Sequence, residues 1–169
     1  MFDKINIIKI VKDHISTLKD YRTDKYKIGD FFLFFGIPFL IVVILVFFNI
    51  LLTSKLISLL ITSLSIFAAL LFNLLLLIYD VVQKAKNGSK NARIKIRFLK
   101  EVYSNISFCI LIAVLSVAIL ILISIFNNIT TLIYFFNWIA YYLIILFLLT
   151  LLMILKRIHV LLYREVEEE

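Results

Sequence analysis

The sequence predicts an all-α integral membrane protein with four transmembrane helices that form two antiparallel hairpins. Of its 169 residues, 63% are hydrophobic, and the mean hydropathy is +1.08. Four apolar runs of 21 to 24 residues contain no Lys, Arg, Asp, Glu or His. Each run exceeds the ~20 residues that cross a hydrocarbon core of about 30 Å. The runs are residues 31–53, 56–79, 106–126 and 132–155.

The placement of charge predicts the orientation, because short loops rich in Lys and Arg stay in the cytoplasm during insertion. Residues 1–30 and the central loop 80–103 each hold seven Lys and Arg, and residues 156–169 hold three. The two remaining connections hold one between them. We therefore expect both termini in the cytoplasm. Residues 1–30 would form a cytoplasmic helix and connector, residues 31–155 the transmembrane domain, and residues 156–169 a solvated tail.

The first 20 residues have the periodicity of an amphipathic helix. At about 100° per residue, five apolar side chains fall on one face and charged side chains fall opposite. The apolar residues are Ile7, Ile8, Val11, Ile15 and Leu18. We expect this helix either to lie in the membrane interface or to pack beneath the bundle.

The central loop predicts that the third membrane helix extends several turns into the cytoplasm, with basic side chains along one face. This basic stripe consists of Lys90, Arg93, Arg97 and Lys100, with Lys86 if the helix continues back through the turn. Such a stripe can bind anionic lipid headgroups, a nucleic acid, a nucleotide or a protein partner, or it can only enforce topology.

Small and polar side chains follow one face of the second membrane helix within a sector of about 100°. This polar stripe consists of Ser54, Ser58, Thr62, Ser65, Ala69 and Asn73. It extends over about 28 Å, nearly the full hydrocarbon core. The stripe either packs against neighbouring helices or, if it faces a symmetry axis, lines a weakly polar pore. A weaker row on the third helix comprises Cys109, Ala113, Ser116 and Ser124.

The apolar runs lack the features of a carrier. Transporters place ionisable groups and broken helices near the middle of the membrane, and these runs have neither. The sequence is compatible with a channel whose uncharged lumen is closed by bulky apolar side chains. The candidate hydrophobic gates are Phe47, Phe67, Phe72 and Phe126. Four helices fill their own core, so such a pore needs several subunits.

The sequence contains no catalytic constellation. It has no phosphate-binding Gly-rich loop and no metalloprotease or hydrolase motif. His14 and His159 lie far apart in the sequence, without Cys or carboxylates at metal-ligand spacing. We expect neither an enzyme nor a metal or cofactor site.

Residues 13–40, which read DHISTLKDYRTDKYKIGDFFLFFGIPFL, resemble the entrance to small four-helix membrane effectors of bacterial anti-phage operons, the channel component of Hailong-type systems among them. The resemblance implies a homo-oligomeric ion channel, with a tetramer favoured, that depolarises the bacterial inner membrane. It also implies gating from the cytoplasm by a nucleic-acid or nucleotide signal from an operon partner. The polar stripe would then line the pore, and the basic stripe would bind the regulator.

The same architecture is compatible with a second function. The chain could be a non-conducting membrane anchor or scaffold that recruits a cytoplasmic partner protein through residues 1–27 and the central loop. The two hypotheses differ in what they require of the polar stripe, because only a pore depends on its hydroxyl groups.

Overall fold

The computed structural model describes residues 7–18, 29, 32–86, 92–126 and 130–167, and no strand occurs in these ranges. The helices are α1 (Ile7–Ser16), a π-helical turn (Phe32–Gly36) that continues into α2 (Ile37–Phe47), α3 (Ser54–Lys86), α4 (Ala92–Ile125) and α5 (Thr130–Glu167). Three segments are long and apolar enough to cross a membrane, namely Ser54–Gln83, Phe98–Ile125 and Thr131–Val160. An all-helical chain with several such segments is therefore confirmed.

The first apolar run, 31–53, forms a shorter helix than the sequence predicts. Asn49 adopts a left-handed conformation with φ of 52°. Its N–H donates to the carbonyl of Val46 at 2.9 Å, and the N–H of Ile50 donates to the carbonyl of Leu45 at 3.0 Å. These bonds form a Schellman motif, which satisfies the last carbonyls of a helix and ends it. The helical segment Phe32–Phe47 is therefore shorter than the ~20 residues of a spanning helix, and a fourth transmembrane helix is not confirmed.

The start of this segment departs from α-helical geometry over Phe32–Gly36, just before Pro38. Five residues are π-helical before α2 begins, because Pro38 lacks an N–H and its ring crowds the preceding turn. A Cβ on Gly36 would stand 2.8 Å from the ring of Phe32. Gly36 is therefore the residue that lets this ring lie against the backbone.

The helices pack as a row in the order α3, α4, α5, α2, with α1 against α4. Residues of α3 seven positions apart are buried, as in coiled-coil packing, and these are Ile57, Leu64, Leu71 and Ile78. The Cα atoms of α2 and α3 do not approach within 8 Å. The packed hairpin that the sequence predicts for its first two membrane helices is therefore absent from the described residues.

A long-range hydrogen bond explains why α2 and α3 separate. The side-chain oxygen of Asn137, on α5, accepts the N–H of Leu52 at 2.9 Å, and its amide nitrogen donates to the carbonyl of Ile133 at 2.8 Å. The segment between α2 and α3 is thereby tied to α5, so α2 packs on α5 and not on α3.

Two helices continue beyond the apolar runs. α4 begins at Ala92, as expected for a third membrane helix that extends into the central loop. α5 continues to Glu167, so most of the tail that was expected to be a solvated end is helical.

The left-handed turn gives a stability prediction. We expect Asn49→Gly to preserve the stability of the protein and Asn49→Ala to lower it by about 1 kcal/mol, because only glycine adopts this conformation without steric cost. Thermal unfolding in detergent, followed by circular dichroism, checks this. Equal stability of the alanine and glycine variants would contradict the role assigned to the turn.

Candidate functional site: the polar stripe and the docked amino-terminal helix

All six residues of the polar stripe are exposed on the surface of the chain. The centre of the stripe lies about 140° around α3 from the buried residues that pack on α4. α3 is also at the end of the row of helices, since it packs on α4 and not on α2. The stripe therefore faces away from every described helix of its own chain.

Three hydroxyl groups of the stripe, those of Ser58, Thr62 and Ser65, donate to carbonyls of α3. Ser58 donates to the carbonyl of Ser54 at 3.1 Å, and Thr62 donates to the carbonyl of Ser58 at 3.0 Å. Ser65 donates to the carbonyl of Ile61 at 2.7 Å. Such bonds let serine and threonine face lipid at little cost, and they leave the oxygen atoms free to accept further hydrogen bonds.

The side-chain amide of Asn73 makes no hydrogen bond with any described residue. It lies within the apolar segment Ser54–Gln83, about 15 Å along the helix axis from Gln83. A primary amide that faces hydrocarbon without partners costs several kcal/mol, so about this much free energy favours a polar partner for Asn73.

The four candidate gate residues lie at separate places. Phe47 ends α2, and Phe126 follows α4. Phe67 packs on Phe147 of α5, with ring centroids 5.9 Å apart. Phe72, which is 54% exposed, is the only one of the four that lies on the face of α3 that carries the stripe.

The basic stripe is described only in part. Lys90 and the side chains of Lys86, Arg93 and Arg97 lie outside the described residues. Lys100 is exposed on α4. The proposed binding of an anionic ligand by this stripe therefore stays a prediction.

The weaker row on the third membrane helix faces the core. Cys109, Ala113 and Ser116 are fully buried, and the hydroxyl of Ser116 donates to the carbonyl of Ile112 at 2.8 Å. Small side chains at these positions let neighbouring helices approach α4, so this part of the row is a packing surface.

α1 packs on α4 with a face that is rotated by about 75° from the predicted one. Its buried residues are His14, Thr17 and Leu18, whereas Ile8 is 80% exposed. Packing against the bundle, one of the two expected arrangements, is thus observed. Val11 and Leu18 of the predicted apolar face pack on the core, whereas Ile7 and Ile8 are exposed. The contact is rotated because a histidine and a threonine enter it.

His14 is fully buried between α1, α4 and the π-helical turn. Its ring stacks on Phe108, with centroids 3.8 Å apart, and meets Phe34 edge-on at 6.1 Å. Its Nδ1 lies 2.9 Å from the side-chain oxygen of Asn105, which also accepts the hydroxyl of Thr17 at 2.8 Å. Because this oxygen can only accept, Nδ1 carries the proton of a neutral imidazole.

Three polar atoms in this contact are buried without a hydrogen-bond partner among the described residues: Nε2 of His14, the amide nitrogen of Asn105 and the hydroxyl of Ser104. Burial lowers the pKa of His14 from 6.5 to about 4; the bond to Asn105 opposes the shift, and the charge of Arg157 adds to it. His14 is therefore neutral at neutral pH.

Arg157 joins the end of α1 to α4 and α5. One guanidinium nitrogen donates to the carboxylate of Glu101 at 2.7 Å, and the other donates to the backbone carbonyl of Thr17 at 2.8 Å. The last carbonyls of a helix lack intrahelical donors and carry partial negative charge, which a guanidinium satisfies well. We call His14, Thr17, Glu101, Asn105 and Arg157 the latch residues.

The position of His14 could have been inferred from the helical pattern. His14 projects between Val11 and Leu18, two members of the predicted apolar face. This position indicates that the His14 ring is buried and bonds to a polar partner inside the bundle. Its partner Asn105, however, lies 91 residues away in the sequence, and no local pattern connects the two.

The described residues bring no three His, Cys, Asp or Glu side chains together in a group that could hold a metal ion. In comparisons with known proteins, no family model, no curated protein and no solved structure matches the chain. The polar stripe and the latch residues are the polar arrangements of the described residues that bear on function.

The contacts of Arg157 give a prediction for α1. We expect Arg157→Gln to speed cleavage of α1 by trypsin at Lys9 and Lys12 by about tenfold or more. The reason is that the loss of two charge-assisted hydrogen bonds costs about 1–3 kcal/mol of docking. Mass spectrometry of early digestion products measures this. The matched control is Lys156→Gln, an exposed neighbour, and equal cleavage rates in the two variants would contradict the role of Arg157.

Proposed function

We propose that the chain assembles as a homo-oligomer in a membrane and forms an ion-conducting pore that the polar stripe of α3 lines. The observation that carries the proposal is the exposed amide of Asn73, which has no partner among the described residues and lies within an apolar segment. Water in a lumen, or the amide of a second copy, removes the cost of this exposure.

A second copy of the chain suits the stripe better than an unrelated partner. A primary amide has both donors and an acceptor, so it can pair with the same residue of another copy around a symmetry axis. The small side chains of Ser58, Ser65 and Ala69 permit close approach between helices in a membrane. Because α3 is at the edge of the row, the assembly needs no rearrangement of the core.

A lumen requires that the polar face reach across the membrane, and the stripe has this length. Its serine and threonine oxygens, already bonded to the helix as donors, can accept hydrogen bonds from water or coordinate a cation. The six stripe residues are uncharged, but the exposed Lys55 and Asp80 share their face of α3, one at each end. Ion discrimination in the pore would therefore be set at its two ends. Phe72 shares the stripe's face and is the residue best placed to close the lumen by dewetting.

The wider role follows from the resemblance of residues 13–40 to the defence effectors. As part of the proposal, the pore opens in the bacterial inner membrane during phage infection, with both termini in the cytoplasm. An anionic ligand, a nucleic acid or a nucleotide, controls it at the basic stripe. Lys100, exposed on α4, is the member of that stripe that the structure describes.

A second candidate is a non-conducting anchor that recruits a cytoplasmic partner. The observation in its favour is the internal satisfaction of the stripe's hydroxyls, which makes water unnecessary for Ser58, Thr62 and Ser65. This candidate leaves the amide of Asn73 to pair with another helix and predicts no current.

Conductance separates the two candidates. We expect Thr62→Leu and Ser65→Leu to lower the unitary current of the purified oligomer in planar bilayers by about tenfold or more, because leucine removes the oxygens and narrows the lumen. The control is Ser63→Leu, an exposed serine of the same helix that lies off the stripe. This control should conduct like the unmodified protein.

The proposed homo-oligomer is tested separately from the current. We expect Asn73→Leu to shift the protein toward smaller assemblies in native mass spectrometry, because leucine leaves no amide to pair. Silent bilayers from a stable oligomer, with and without short DNA or RNA, would favour the anchor. A current that falls equally in the Ser63 and Thr62 variants would contradict the assignment of the lumen to the stripe.

A further inference from the structure

We propose that α1 is held on the bundle by a proton-operated latch, in which protonation of His14 at Nε2 releases α1 from α4. The latch is a property of the docked helix and does not depend on the proposed pore. It requires that the neutral imidazole fit the buried site and that the imidazolium does not.

The hydrogen bonds of His14 fit only its neutral form. The proton on Nδ1 is bound by the side-chain oxygen of Asn105 at 2.9 Å. A second proton would sit on Nε2, which is buried without a hydrogen-bond partner among the described residues. The site would then enclose a charged group with an unpaired N–H, which is the costly case in a low-dielectric interior.

Among the described residues, the charges around His14 do not compensate a second proton. From α4, Glu101 is engaged by Arg157, and from α5 the guanidinium of Arg157 is itself positive. Asp13, on α1, is exposed, and the described residues of the π-helical turn carry no charge. Stacking on Phe108 attracts a cation, but burial and the charge of Arg157 act in the opposite direction and lower the pKa of His14.

Linkage gives the direction of the pH effect. Because the pKa of His14 is about 4 when α1 is docked and 6.5 when the ring is in water, docking has its full strength above about pH 6.5 and weakens as the pH falls toward 4. Between about pH 7.5 and pH 5.5, the equilibrium constant for docking should fall about tenfold.

Release of α1 changes the surface of the bundle at one end. It uncovers the ring of Phe108 and the amide of Asn105, and it removes the carbonyl of Thr17 from Arg157. α4 is the described helix that contacts both α1 and α3, so a change at this end reaches the helix that carries the polar stripe. Any effect of the latch on current rests on the proposed pore.

Hydrogen–deuterium exchange of the full-length protein in lipid nanodiscs tests the latch without a measurement of current. Exchange in a peptide that contains residues 7–18 is divided by exchange in a peptide from the middle of α4, which removes the intrinsic effect of pH. We expect this ratio to rise about tenfold from about pH 7.5 to pH 5.5 in the unmodified protein. It should stay flat in His14→Asn, which places an amide N–H near the position of Nδ1 and does not bind a proton.

His159→Asn is the matched control, because His159 is the other histidine of the chain and is exposed on α5. It should keep the full pH response. If His14→Asn is already unprotected at about pH 7.5, then His14→Phe, which keeps a ring on Phe108, takes its place and should again show no pH response.

Two results would overturn the latch. One is an exchange ratio that does not change with pH in the unmodified protein. An exchange ratio that changes with pH equally in the variants at His14 counts as the same result. The other is an NMR titration of labelled histidine in which the ring of His14 becomes charged near its usual pKa while α1 remains protected from exchange.

Discussion

The fold depends on how the few polar groups of a very apolar chain find hydrogen-bond partners away from water. The amide of Asn137 bonds to the N–H of Leu52 and sets the path between α2 and α3. Buried hydroxyls such as that of Thr150 bond to carbonyls one turn back. The left-handed Asn49 ends α2 by satisfying its last carbonyls. Among the described residues this requirement is not met at the amide of Asn73, at Nε2 of His14 and at the amide nitrogen of Asn105, and these atoms are the basis of the proposed assembly and the proposed switch.

The two proposals concern different surfaces that one helix connects. The polar stripe lies on the outer face of α3, and the latch residues lie where α1, α4 and α5 meet. α4 packs on α1 near one end and on α3 along the buried heptad positions. A change in α1 docking therefore acts on the neighbour of α3 directly. This connection is steric and runs through one packed helix.

The sequence predicts the long helices well because the run of apolar residues alone decides them, as at residues 56–79 and 106–126. The sequence overestimates the length of α2, because the end of this helix depends on the backbone angle of a single residue, Asn49. It also misses the separation of α2 from α3, which depends on Asn137, 85 residues from Leu52. The polar stripe is visible in the sequence, but the periodicity does not say whether it faces the core. The sequence does not predict the latch, because His14 and Asn105 are 91 residues apart and no local pattern connects them.

The proposed pore requires that the polar stripe face water in the assembled protein. Single cysteines placed along residues 54–73 can be treated, in membranes, with a charged thiol reagent that does not enter lipid; the native Cys109 is fully buried and provides a silent background. A pore lined by the stripe should give modification at Ser58, Thr62 and Ser65, and protection at Ser63 and Leu70. Protection at every stripe position, or equal modification on all faces of α3, would contradict it.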